Sequence, residues 1–180
     1  IQGFYNIPLD HLTAIPVLAA ALKDMNLIDP ILVSPDVGRA KVVEKFQQVY
    51  DVPLVMMHKR RKGLEVSVTE VIGDVTDKTP ILIDDIIASG SIVTHVDALV
   101  DRGARPEVYM AITHPVLVGN AVQRLQHPAL KMLLTTDTIT LPEENRASNI
   151  RVFSLAPMLA DVIRRIHLNQ SVSEVFTQLF

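Results

Sequence analysis

Six short apolar runs recur along the chain: Ile31–Val33, Pro53–Met57, Ile81–Ile83, Val108–Ile112, Met132–Leu134 and Val152–Leu155. Each is near-continuous rather than alternating, the pattern of a parallel strand covered on both faces. Helical periodicity fills the gaps between them. Ile92, Val96, Leu99 and Val100 fall at i, i+4, i+7 and i+8, and Gly103 stands where a helix C-cap belongs. Leu159, Val162, Ile163 and Ile166 repeat the pattern behind Pro157, and Pro16 is placed to open a helix through Leu18, Ala19 and Leu22. Strands alternating with helices predict an α/β fold with a mostly parallel sheet flanked by helices on both faces. One segment breaks the alternation. Lys59 to Val75 is basic at first and then alternates through Val66, Val68 and Val71, which predicts an exposed loop followed by a strand or hairpin flap.

The bulk numbers narrow the function classes. With 180 residues, 48% of them hydrophobic, the chain has material for a single packed domain over residues 1–180. A net charge of -3 gives no electrostatic case for nucleic acid or for an anionic membrane, so an anionic ligand must meet a local basic patch. No apolar run approaches the roughly 20 residues that cross a bilayer. The absence of cysteine excludes disulfides and thiolate metal sites and fits a reducing, cytoplasmic setting. The sequence begins at Ile1 rather than Met, which is read as a processed, trimmed or partial start.

The chemistry concentrates in ILIDDIIASGSIV, residues 81–93. Asp84 and Asp85 are expected at the C-terminal end of a central strand, the edge of an α/β sheet where ligands bind. Ala88, Ser89, Gly90 and Ser91 follow as a loop of small side chains entering a helix near Ile92. Unpaired amides and the helix dipole at that point suit a phosphate, and small side chains let it come close. The acids sit too far back to touch the phosphate; they suit sugar hydroxyls or a magnesium ion. The loop has no Gly-Lys-Ser/Thr ending and only one glycine, so neither a P-loop nor a dinucleotide fingerprint describes it. A plain surface turn and a receiver-type acid cluster remain as alternatives at this point.

ILIDDIIASGS resembles the ribose 5-phosphate loop of the type I phosphoribosyltransferase fold. Other stretches narrow the resemblance to the ribose-phosphate diphosphokinases. IQGFYNIPLDHL is similar to the second half of that family's signature, VSPDVGRAK to its diphosphate-side loop, HKRR to its catalytic flexible loop, and IRVFSLAPMLADVIRRIH with SVSEVF to its final helix and tail. The resemblance runs from Ile1 to about Phe176. It implies transfer of the β,γ-diphosphoryl group of ATP to the C1 hydroxyl of ribose 5-phosphate, with magnesium as cofactor. It implies Lys59 and Arg61 as the cations that close over the ATP phosphates. Asp36 would be the magnesium ligand, though a lone Asp there could equally cap the helix that begins near Gly38, with Ser34, Gly38 and Arg39 on the diphosphate-side loop. Asp84 and Asp85 would face the ribose hydroxyls, with Ala88, Ser89, Gly90, Ser91 and Ile92 around the 5-phosphate. The chain would be the C-terminal half of a two-domain synthetase, inactive without the other half and assembling as a homo-oligomer.

The loop departs from the family pattern, which reads Asp-Asp-Ile-Ile-Asp-Thr-Ala/Gly-Gly-Thr. Ala88 stands for the third acid, Ser91 for the glycine and Ile92 for the threonine. Ile92 is expected to set an apolar group beside a charged ligand, costing on the order of 1–3 kcal/mol of binding. Arg39 stands where the family has glycine, as an added cation or an obstruction. These departures leave open a synthetase-like regulatory subunit that has lost catalysis; a base-specific phosphoribosyltransferase fits HKRR and the tail less well.

Overall fold

The computed structural model describes the backbone over residues 1–62 and 65–176, and side chains within that span except over residues 59–69. Seven strands form one sheet: β1 (Pro30–Ser34), β2 (Leu54–Lys62), β3 (Glu65–Ile72), β4 (Thr79–Ile87), β5 (Val108–Pro115), β6 (Leu130–Thr136) and β7 (Ile150–Phe153). Their order across the sheet is β3-β2-β1-β4-β5-β6-β7. Every neighbouring pair is parallel except β2 and β3, which form an antiparallel hairpin at one edge. The helices are α1 (Ile15–Asp24), α2 (Ala40–Val49), α3 (Val93–Asp101), the single turn α4 (Ala121–Arg124) and α5 (Ala156–His167). All six expected strands and the three expected helices are present.

Alternation along the strands explains why the runs are apolar throughout. On β1, Ile31 and Val33 join one core cluster while Leu32 joins another; on β4, Leu82 goes to the first while Ile81 and Ile83 go to the second. The first cluster includes Val96 and Leu99 of α3; the second includes Leu18 and Leu22 of α1 and Phe46 of α2. Each central strand therefore buries both of its faces, the condition that removes a polar stripe from its sequence.

Local signals set the boundaries. Pro16 and Pro157 sit in the first turns of α1 and α5. Gly103 closes α3 at φ +86, its N–H donating to Val100 O while Ala104 N–H reaches back to Leu99 O. That double closure is the Schellman arrangement, which needs the left-handed conformation glycine adopts freely.

Two expectations are corrected. The basic residues after His58 continue β2 as far as Lys62, where a loop was expected, and the hairpin register pairs Met57 with Val71 and Lys59 with Thr69. The apolar set on α5 does not share one buried stripe. Val162 turns inward with Met158, whereas Leu159, Ile163 and Ile166 are exposed, Ile163 by 68%. Among the described residues no helix is long and apolar enough to cross a membrane.

Candidate functional site

The C-terminal ends of β1 and β4 bring two loops together. From β4 come Asp84, Asp85 and the 88–92 loop; from β1 come Ser34 and the turn Val37–Arg39. Between them lies an open cleft of about 300 Å³, lined by Asp36, Asp84, Ala88, Ser89, Gly90, Ser91 and others including Ile92 and His95. A second hollow of about 370 Å³ shares Asp84 and adds Asp85, Arg39, His114 and an apolar wall that includes Phe46.

In the loop, Gly90 adopts φ +70 and lies against the start of α4. The Arg124 guanidinium donates to Ser89 O at 3.2 Å and holds the loop from the same side. Helix α3 begins with tight i→i+3 bonds: Val93, Thr94 and His95 donate to the carbonyls of Gly90, Ser91 and Ile92. Those three amides are consumed. The amides of Ser89, Gly90, Ser91 and Ile92 have no hydrogen-bond acceptor among the described residues. The nest that could hold an anion therefore lies in the loop itself, ahead of the helix. Ser89 and Ser91 are exposed there.

Ile92 corrects the sequence reading. It is 9% exposed and belongs to the core cluster with Val96 and Leu99. Its side chain fills the sheet–helix interface, so what it can offer a ligand is chiefly its backbone amide. Ser34 ends β1, where the diphosphate-side loop begins. Its side chain is fully buried and its hydroxyl donates to Asp36 O at 2.7 Å, closing the turn.

Asp84 and Asp85 lie late in β4, where the pairing register runs Asp84 to Ile112 and Ile86 to His114. Consecutive strand residues point to opposite faces, and accordingly Asp84 borders both hollows while Asp85 borders only the second. Their side chains are 19% and 39% exposed. Asp84 Oδ1 accepts the Asp85 N–H at 2.8 Å. Arg39 spans the pair: its Nε is 3.3 Å from Asp84 Oδ1 and its Nη1 2.6 Å from Asp85 Oδ2. Of the two roles open for Arg39, the structure shows it covering the acids. Burial pushes the Asp84 carboxyl up to about 6, while the Asp85 amide and the Arg39 guanidinium pull the other way.

Asp36 caps its own turn, accepting the Arg39 N–H on Oδ1 at 3.0 Å. Gly38 is placed so that a Cβ would come 3.1 Å from that oxygen. Among the described residues no three His, Asp or Glu side chains converge as a metal cage. A single carboxylate with an oxygen outside the cap suits only an ion that keeps waters and takes further oxygens from phosphates, which is the habit of magnesium. The side chains of Lys59 and Arg61 lie outside the described residues; their backbone belongs to β2.

Sequence reasoning missed three participants. Arg124 lies beyond the motif and reaches the loop only through the fold. His95, left as an ordinary histidine, is buried beneath the loop with Nδ1 3.2 Å from Ile92 O. His114 ends β5 beside the acids, its Nδ1 2.9 Å from Thr138 Oγ1. The i, i+3 relation of His95 to Ile92 was the one available signal.

Known proteins resemble the chain over nearly its whole length. Over 179 residues the chain is 42% identical to the ribose-phosphate pyrophosphokinase of Bacillus subtilis, covering 98% of this chain and 56% of that protein. It is 44% identical over 180 residues to the ribose-phosphate pyrophosphokinase of Caldanaerobacter subterraneus, covering 98% and 57%. The crystal structure of phosphoribosylpyrophosphate synthetase from Mycobacterium smegmatis superposes with a TM-score of 0.84 at 37% identity, covering 93% of this chain and 55% of that one. The chain thus spans a little over half the length of the relatives it matches. Residues 27–177 match the family described as the phosphoribosyl synthetase-associated domain, and the chain belongs to that family.

Proposed function

We propose that this chain supplies the ribose 5-phosphate site of a ribose-phosphate diphosphokinase, as the C-terminal of two domains in a homo-oligomeric enzyme. The observation that carries the reading is the set of amides from Ser89 to Ile92, unpaired among the described residues and one strand-end away from Asp84 and Asp85. The 5-phosphate rests on those amides, helped by the Ser89 and Ser91 hydroxyls. The ring hydroxyls donate to the two carboxylates.

ATP approaches from the Asp36 side. Asp36 holds magnesium through the oxygen that does not cap the turn, and the ion, when bound, screens charge on the diphosphoryl group being transferred. Lys59 and Arg61 close over the same phosphates from β2. The protein's part in such a transfer is positioning and charge neutralisation, so cations at the phosphates and a rigid grip on the sugar supply most of the rate. The alternative of a subunit without catalysis rested on Ser91, Ile92 and Arg39; of these, the Ile92 side chain packs in the core.

The test is calorimetric. Ribose 5-phosphate binds, inorganic phosphate competes with it, and unphosphorylated ribose competes far more weakly. With ATP and magnesium, the two-domain enzyme that carries this chain releases AMP. A folded protein that takes up no ribose 5-phosphate overturns the reading.

A further inference from the structure

Arg39 is held at its backbone by the turn and at its tip by ion pairs. Its amide donates to Asp36 Oδ1 at 3.0 Å and lies 3.3 Å from Asp36 O, which pins the Cα on the diphosphate-side turn. Its side chain is 37% exposed, and among the described residues its ion pairs are with the two acids. Those contacts occupy one oxygen of each carboxylate. Asp84 Oδ1 already serves both Arg39 Nε and the Asp85 N–H, and Asp85 Oδ2 receives Nη1 at 2.6 Å. A diol that takes those same two oxygens competes with the guanidinium for them, whereas Asp84 Oδ2 and Asp85 Oδ1 take no ion pair or hydrogen bond among the described residues.

We propose that Arg39 is a latch on the acid pair, displaced when the sugar hydroxyls bind and then free to turn toward the phosphates gathered beyond Asp36. The device rests on the ribose 5-phosphate reading for its ligand but not for its existence. Two like charges on adjacent residues near the sheet edge repel, and a guanidinium bridging them is the counter-ion that offsets the repulsion. Sugar hydroxyls replace that counter-ion with neutral donors, so its charge is released at the moment an anionic co-substrate arrives. Both halves of the exchange belong to one side chain on a fixed turn.

The experiment separates the latch from the ligand. Without ligand, a double-mutant cycle of Arg39→Met and Asp85→Asn is followed by urea unfolding. A latch gives losses that do not add, because either change alone breaks the contact; additive losses overturn it. Ribose 5-phosphate and inorganic phosphate are then titrated into wild type and Arg39→Met. Arg39→Met binds ribose 5-phosphate about fivefold tighter, the scale of one partly exposed ion pair, and inorganic phosphate within twofold of wild type. Weaker or unchanged ribose 5-phosphate binding overturns the displacement, as does an equal change for both ligands, which reports only net charge. Failure of wild type to bind ribose 5-phosphate refutes the functional reading instead, and leaves the ligand-free cycle to decide whether the latch exists.

Discussion

Gly90 lies so close to Ala121 that a Cβ on the glycine would sit 3.1 Å from the Ala121 carbonyl oxygen and 3.3 Å from its Cα. The contact joins the loop after β4 to the first turn of α4, and Gly90 holds φ +70 to make it. Both the conformation and the approach exclude a side chain. Gly90→Ala is expected to destabilise the protein by about 1–3 kcal/mol and to weaken inorganic phosphate binding, because the amides of Ser91 and Ile92 move with the residue. Urea unfolding and phosphate titration read the two effects; an unshifted midpoint with normal phosphate binding contradicts the placement.

Ile92→Thr is the change that would restore the family's usual residue. The buried position of Ile92 predicts the opposite of a repair. A hydroxyl placed among Val96 and Leu99 loses packing and needs a partner, at a cost of about 1–2 kcal/mol. Ribose 5-phosphate affinity stays within twofold. A clearly tighter complex would return the side chain to the ligand.

The raised carboxyl of Asp84 sets a pH dependence. In the folded protein it keeps its proton to about pH 6, whereas an unfolded chain releases it near 4. Between those values the folded state holds more protons, so stability falls as pH rises from about 4 to about 6. The fall attributable to Asp84 is on the order of 2 kcal/mol. Denaturant unfolding of wild type and Asp84→Asn across this interval should show a flatter profile in the variant; superimposable profiles would locate the perturbed group elsewhere.

Arg165 ties the last turns to α5, bonding Asp161 at 2.7 Å, Glu174 at 2.6 Å and the Ser171 carbonyl at 3.1 Å. Arg165→Ala should speed amide exchange at Gln170 and Val175 while leaving β1 and β4 protected. Unchanged exchange over residues 170–176 would mean that Val175, buried against α1, holds the tail unaided.

Under the proposed function, Lys59→Ala in the two-domain enzyme lowers turnover by about 100-fold or more and changes ribose 5-phosphate binding by less than threefold. Losses of similar size in both would put the lysine in the sugar site.

The architecture was legible because its signals are local. Runs such as Ile81–Ile83 must be apolar on both sides, Pro16 and Pro157 open helices, and Gly103 ends one. Asp84 and the 88–92 loop could be set at a strand end for the same reason. What escaped depended on orientation and distance along the chain. A one-dimensional motif gives the order of Ser91 and Ile92 but not which of them turns into the core. Arg124 reaches Ser89 across 35 residues, and Arg39 finds Asp84 and Asp85 only because β1 and β4 are neighbours. The length of β2 was underread because lysine and arginine are poor strand markers, and the pairing with β3 extends the strand regardless.

Asp84 and Asp85 leave the same strand on opposite sides. A molecule confined to the cleft beside the 88–92 loop meets only Asp84, whereas one reaching into the second hollow meets both. Engaging the pair takes at least two neighbouring oxygens, and a compound bearing a lone alcohol has no such purchase.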